Sequence, residues 1–396
     1  MFIGLVGKPS SGKSTFFKAA TLAEVEIGNR PFVTINPNEG TSYVKIDCVD
    51  KEFNKQCNPR LGYCLNHNRF VSFTLMDVAG LIKDAHKGAG LGNKFLDDLS
   101  GADAFIHIVD ISGSTDEQGN SVKALSHDPI KDIKFLDHEL DMWYFQILKR
   151  GWEKFARGVK NENKEVKEEL AKQISGLKVN EKQVEDMIKE LNLLHDPTQW
   201  EDNDLLELAK KLRRKSKPMI IAANKIDIEG SAYNLDRVKK EFPDYLIIPC
   251  GADSELALRE AAKHNLIEYI PGEDNFEVKG DLSEEQKKAL DYIKKNVLEE
   301  FGSTGVQEVL NKAVFDLLKY IAVFPGGVNK LEDSKGNILP DCFLLEGEST
   351  ALDFAYKIHQ DIGDGFVKAM NVKKKQPIGK EYKLQHRDVI EILTKN

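Results

Sequence analysis

Phe2-Ile3-Gly4-Leu5-Val6-Gly7-Lys8-Pro9-Ser10-Ser11-Gly12-Lys13-Ser14-Thr15 is the stretch whose reading decides the fold. Five apolar residues read as a buried strand, G-x-x-x-x-G-K-S follows at once, and Thr15-Phe16-Phe17-Lys18-Ala19-Ala20 has helical character. A strand that turns through such a loop into a helix aims successive backbone amides, and the positive end of the helix, at one point. Gly7 through Thr15 are therefore expected to cradle phosphates, with Lys13 bridging the β- and γ-phosphates and Ser14 holding Mg2+. The loop specifies a nucleoside triphosphate and leaves the base open.

Working outward, strand signals recur at residues 70–76, 104–109, 219–223 and 245–248 and alternate with helical stretches. That rhythm predicts an α/β fold with a mostly parallel sheet. From about 130 to 215 the strand signals stop and apolar residues recur at helical spacing, which predicts a helical insertion. Its aromatic residues Trp143, Tyr144, Phe145, Trp152 and Phe155 are expected to pack, with a partner-docking face as the other reading. Ser283 with Gln286 forms a capping-box signature for a further helix. After Phe324-Pro325-Gly326-Gly327 come short β segments, a turn at Ser334-Lys335-Gly336-Asn337 and one helix near 351–360, together a small α+β module. The expected division is a nucleotide domain over 1–323, the insertion at 130–215 within it, and a C-terminal module over 324–396.

The base is read from Asn224-Lys225-Ile226-Asp227, which follows the apolar run Ile220-Ile221-Ala222-Ala223. An Asp placed there accepts two hydrogen bonds from guanine N1 and N2, a donor pair that adenine lacks, so GTP and GDP are the expected ligands. Ala252, after Pro249-Cys250-Gly251, is the candidate for meeting the guanine O6 through its amide. At Asp77-Val78-Ala79-Gly80, Asp77 is placed to hold Mg2+ through water and the Gly80 amide to meet the γ-phosphate. Thr34 is the candidate second hydroxyl on Mg2+.

Leu81 stands where a water-orienting glutamine would follow Gly80, and an apolar side chain cannot orient water. His86, on a glycine-bracketed loop, and His107, inside an apolar strand, are weak catalytic candidates, against a solvated and a core histidine respectively.

The chain has 396 residues, 41% hydrophobic and 30% charged, with a formal net charge of -8. Its length implies two or three domains, and its composition a folded, soluble protein. The acidic balance argues against coating nucleic acid wholesale, and no DNA partner is expected. Lys368, Lys373, Lys374, Lys375, Lys380, Lys383, His386 and Arg387 nevertheless cluster as a candidate RNA face, with a solvated charge run as the alternative. Five cysteines, a strand opening directly after Met1 and no apolar run of roughly 20 residues predict a reducing cytoplasm and no membrane. Cys48, Cys57, Cys64 and His67 make a zinc site chemically possible. Their irregular spacing, with no C-x2-C pair, leaves ordinary reduced cysteines as the other reading.

Pro31-Phe32, Thr34, Pro37-Asn38, Asp77-Val78-Ala79-Gly80-Leu81-Ile82-Lys83, Gly88 through Leu96 and His107-Ile108-Val109-Asp110 resemble the Obg and YchF-related translation-associated GTPases. The C-terminal segment resembles a TGS module, a ubiquitin-like β-grasp domain. The resemblance covers nearly the whole chain and weakens in the helical insertion. It implies a slow Mg2+-dependent GTPase that works with the ribosome or RNA through the TGS-like module and a helical arm. Ser10 occupies a position where the family commonly has Asn, which in some relatives helps bind potassium, so potassium stimulation stays an open question at this position. The bacterial and eukaryotic YchF branch tends to lack the guanine-reading Asp and to accept ATP, whereas Asp227 is present here. A YchF-type ATPase and a regulatory switch that binds a protein partner outside translation remain the alternatives.

Overall fold

The structure is a computed structural model that describes residues 1–22, 38–78 and 99–395. Its contacts fall into two compact units, Met1–Gly40 with Thr74–Val309, and Thr41–Phe73 with Leu310–Asn396.

In the first unit the parallel strands β1 (Phe2–Val6), β5 (Ala104–Asp110), β6 (Met219–Asn224) and β7 (Leu246–Cys250) lie side by side, and the end of β4 (Asn68–Asp77) pairs with β1 on its other edge. Every residue of β5 and β6 is buried, as expected of strands covered on both faces. The register sets Leu5 beside Asp77, Val6 beside His107, Asp110 beside Asn224, and Asn224 beside Cys250. Asp77, Asp110, Asn224 and the loop after Val6 therefore emerge together at the carboxyl ends of the strands, where open α/β sheets bind ligands.

Helix α1 (Lys13–Thr21) follows the first loop. The predicted insertion consists of α2 (Pro129–Lys149), α3 (Trp152–Asn161), α4 (Val166–Gln173), α5 (Glu181–Glu190) and α6 (Asp202–Ser216). Asp128 caps α2 through the Ile130 amide, with Pro129 in the first turn, and Asn180 with Gln183 closes a capping box on α5. Trp143, Tyr144, Trp152 and Trp200 share one core with Val6, Met76 and Phe105, so the insertion is packed continuously with the sheet. Trp152 stacks on Trp200 with ring centroids 5.3 Å apart. Buried Arg213 ties α6 to α2 through Asp141 at 2.8 Å and Asp137 at 3.1 Å. Helices α7 (Ser231–Glu241) and α8 (Ala252–Lys263) follow β6 and β7. A short β8–β9 pair (Ile267–Glu268 with Glu277–Val278) precedes α9 (Glu284–Ile293), which carries the Ser283 and Gln286 capping box.

In the second unit β10 (Tyr320–Pro325), β11 (Phe343–Glu346), β12 (Phe366–Asn371), β13 (Gln376–Ile378) and β14 (Val389–Thr394) form a sheet of order β11-β10-β14-β12-β13. Helix α10 (Ala351–Ile358) buries Ala351 and Phe354 against Val323, Leu345, Ala369 and Ile390, giving the α+β β-grasp arrangement. The same unit contains Thr41–Phe73, with most of β2 (Asn38–Asp47), the hairpin strand β3 (Tyr63–Leu65) and the first part of β4. Backbone bonds from Asn58 to the Ile338 carbonyl and from Arg60 to the Pro340 carbonyl join this segment to the C-terminal residues. Such pairings across nearly three hundred residues leave no local signal, which is why a division drawn along the sequence puts 41–73 inside 1–323.

The basic cluster of this unit is partly neutralised. Lys373 and Arg387 each meet Glu52 at 2.8 Å, Lys383 meets Glu348 at 3.1 Å, and the His386 ring accepts the Ala322 amide.

Candidate nucleotide site

The loop between β1 and α1 is held open from beneath and from both sides. Gly12 has φ 97, and a Cβ there would lie 2.2 Å from Asn224 Nδ2, so only glycine admits the close approach of the two segments. Asn224 Nδ2 donates to the Ser11 carbonyl at 3.0 Å, and Asn224 Oδ1 accepts the Ala252 amide at 3.0 Å. One side chain thus joins three segments. The Ala252 amide, expected to meet the guanine O6, is committed to Asn224 instead, which makes Ala252 a buttress of the loop in this structure.

On the opposite flank Lys8 is turned away from the cradle. Its ammonium donates to the Thr115 carbonyl at 2.7 Å and pairs with buried Asp132 at 2.8 Å, and Asp132 also meets His127 Nε2 at 2.7 Å. Of the Lys8 groups, the backbone amide is the one left to a phosphate. Ser10 adopts a left-handed φ of 59. The Ser10 and Ser11 hydroxyls are buried with no hydrogen-bond partner among the described residues, as orphaned donors in a preformed anion cradle would be.

Lys13 is buried and donates to the Lys8 carbonyl at 2.9 Å. Burial pushes its ammonium down to about 8 against an opposing pull from Asp77. Ser14 Oγ donates to Asp77 Oδ2 at 2.7 Å, while Asp77 Oδ1 is buried without a partner among the described residues. Burial raises the Asp77 carboxyl, and Lys13 and Ser14 draw it back. A hydroxyl, a carboxylate with one unmet oxygen and a nearby ammonium fit a hydrated divalent cation beside phosphates.

On the base side Asp227 is partly buried, and burial, reinforced by Asp253, raises its carboxyl. Its one donor among the described residues is its own backbone amide. The Tyr292 hydroxyl donates to the Asp227 carbonyl at 2.8 Å and fixes the backbone there. Lys225, at φ 63, extends to Asp110 Oδ2 at 2.9 Å.

Asp110 was not among the predicted site residues, yet it organises this flank. It accepts from Ser112, Ser114, Thr115 and Lys225, which outweigh burial and hold its carboxyl below the ordinary range. The available signal was its position at the end of an apolar central strand, matching Asp77 and Asn224. Asp132 left no comparable signal.

His107 is fully buried beside Gly7 and is pushed down to about 3 by burial and by Lys13 and Lys8, so it is a neutral core imidazole. Thr34, Gly80, Leu81 and His86 lie outside the described residues.

Profiles of three families match this chain: 50S ribosome-binding GTPase over residues 2–137, the Obg-like GTPase YGR210-like G4 motif-containing domain over 222–327, and the TGS domain over 334–394. An uncharacterized GTP-binding protein of Methanocaldococcus jannaschii is 48% identical over 99% of this chain and 98% of its own length. The chain belongs to the Obg-like, YchF-related GTP-binding proteins. A crystal structure of a GTP-binding protein from Pyrococcus horikoshii superposes on this Obg-like protein with a TM-score of 0.80, 41% identity and full coverage of both chains. The ribosome-binding ATPase YchF of Buchnera aphidicola is 28% identical over 98% of each chain. Among the described residues no helix of this Obg-like protein is long and apolar enough to cross a membrane.

Proposed function

We propose that this protein binds GTP with Mg2+ and hydrolyses it to GDP and phosphate, as a slow cytoplasmic switch that works with the ribosome or RNA. The Asp227 carboxylate carries the reading. It is partly buried just after β6, raised by that burial and by Asp253, and supplied with no side-chain donor among the described residues, an environment that rewards the paired N1 and N2 donors of guanine.

Gly7 through Thr15 would receive the phosphates on backbone amides, with the Lys13 ammonium on the β- and γ-oxygens. Ser14 and Asp77 would hold Mg2+, joined by Thr34, and the Gly80 amide would sense the γ-phosphate. Bound there, Mg2+ would offset negative charge on the phosphate oxygens. Asn224 keeps Ser11 and Ala252 in place while Asp227 reads the base. With Leu81 after Gly80, and His107 enclosed in the core with its basicity pushed down, neither of these positions supplies a general base, so turnover is slow until a partner or His86 completes the site. Within residues 1–323 the nucleotide domain would comprise the part outside 41–73, with 130–215 as its helical arm, and 324–396, packed with 41–73 in one unit, would be the module that meets RNA.

The ribosome part of the reading is supported by the family profile described as a 50S ribosome-binding GTPase, by one relative named a ribosome-binding ATPase and by the TGS module. A YchF-type ATPase is the second reading, favoured by the likeness to a protein named an ATPase. Calorimetric titration with GTP and ATP decides between them: we expect GTP to bind more tightly and Asp227→Ala to weaken GTP far more than ATP. Equal affinities would remove Asp227 from base recognition. Sedimentation with ribosomes in low and high salt tests the partner, and failure to pellet with either GTP or GDP bound would leave a switch that acts on another protein.

A further inference from the structure

Cys48, Asp50, Cys57 and Cys64 come from a short segment that leaves β2, makes a turn of 3-10 helix over Val49–Phe53 and returns through the β3–β4 hairpin. The structure folds their side chains onto one point. One ligand atom from each lies within 4.8 Å of all the others, and Cys48 and Cys57 sulfurs are 3.5 Å apart. Tetrahedral zinc thiolates, with Zn–S near 2.3 Å, need sulfurs about 3.8 Å apart, so these side chains require little movement. Cys48, Asp50 and Cys57 are buried, and Cys64 is the half-buried member at the rim.

A second observation points the same way. Arg69 is fully buried, and among the described residues no carboxylate lies within ion-pair distance of it. Its guanidinium donates to the Leu339 and Pro340 carbonyls at 3.0 and 2.9 Å and to Cys57 Sγ at 3.5 Å. A buried cation demands negative charge nearby, and a thiolate cluster provides it. His67 does not join the cluster, as a Cys3His reading of the sequence would have it. Its Nδ1 lies 2.9 Å from Asp50 Oδ1, the position of an outer partner that orients a ligating carboxylate. The Cys57 amide, at 2.9 Å from Asp50 Oδ2, adds a second restraint.

We propose that Cys48, Cys57, Cys64 and Asp50 bind one structural zinc ion, with His67 orienting Asp50 and Arg69 balancing the charge. Three sulfurs and one oxygen in a closed setting suit Zn2+ rather than Mg2+ or Ca2+, which take oxygen ligands. Binding converts three thiols to thiolates and releases one proton from each: Zn2+ with three R–SH and one R–COO− gives the complex dianion and three H+. The ion staples the segment between β2 and β4, a stretch with little apolar core of its own.

The test uses the full chain purified under reducing conditions, stripped with a chelator and then dialysed against zinc chloride. Elemental analysis is expected to find about one tightly held zinc per chain. Cys57→Ser and Cys64→Ser are expected to lose it, while Cys342→Ser, altering a cysteine outside the cluster, keeps it. If the serine variants do not fold, cobalt titration of the stripped wild type serves instead, and a tetrahedral thiolate spectrum saturating at about one equivalent is expected. No zinc uptake, retention of zinc by the Cys57 and Cys64 variants, or a Cys48–Cys57 disulfide in place of metal would each overturn the proposal. None of these readouts depends on nucleotide binding, so the zinc site and the GTPase reading stand or fall separately.

Discussion

Asn224 and Ser11 are 213 residues apart in sequence and joined by a 3.0 Å hydrogen bond from the Asn224 amide to the Ser11 carbonyl. The same side chain accepts the Ala252 amide, so the phosphate loop and the start of α8 are fixed by one residue. Asn224→Ala would leave both buried partners without a bond, which costs on the order of 1–3 kcal/mol each. We expect GTP and GDP affinities to fall together, by roughly ten- to a hundredfold. Titration of both nucleotides against the variant checks this, and loss of GTP affinity alone would place Asn224 at the γ-phosphate instead.

Lys13 yields a prediction about pH. Its folded-state value of about 8 lies below the ordinary 10.5, so between those values the folded chain holds fewer protons than the unfolded one. The burial penalty is fully present below about 8 and is relieved as pH rises toward 10.5, so this group makes stability climb across that window. Nucleotide binding responds in the opposite sense, because phosphates require the charged ammonium. GTP affinity is expected to hold steady below about pH 8 and to fall above it, approaching tenfold per unit, with proton uptake on binding. Calorimetry in buffers of different ionisation heat measures that uptake, and Lys13→Met should abolish it.

Arg213 bears on stability rather than ligand binding. It is buried between Asp141 and Asp137, and the Tyr245 hydroxyl shares Asp137 at 2.7 Å. Arg213→Met strands these carboxylates and is expected to cost about 3–5 kcal/mol. Urea denaturation would show it as a lower midpoint. A double change to Arg213→Met with Asp141→Leu should recover part of the loss, which separates the unpaired charge from the packing.

The sequence was most legible where chemistry is local. The loop from Gly7 to Ser14, the strand ends at Asp77 and Asn224, and the capping box at Ser283 all rest on neighbours a few residues apart. The aromatic residues of the insertion are expected to pack, and Trp143, Tyr144 and Trp152 are buried while Phe145 and Phe155 are partly buried against the same core. Strand β2 escaped notice because its run Asn38-Glu39-Gly40-Thr41-Ser42 is polar, and its partners supply what its composition lacks. The basic C-terminal cluster looked freer than it is, since Glu52, which pairs with Lys373 and Arg387, lies more than three hundred residues upstream.

By itself, then, the sequence determined the strand Phe2–Val6, the glycine-containing loop after it and the helix Lys13–Thr21, and it offered Asp227 after β6 as the guanine reader of the proposed function. Backbone geometry and the hydrogen-bonding pattern of a base are properties of short segments. Only the tertiary structure decided that Lys8 faces Asp132 rather than a ligand, that Asn224 clamps the loop while the Ala252 amide serves the clamp, and that Asp50 replaces His67 among the three cysteines. Those outcomes depend on which distant groups are buried together. Burial makes an unpaired charge or donor costly, and the fold settles that cost by pairings no local pattern encodes.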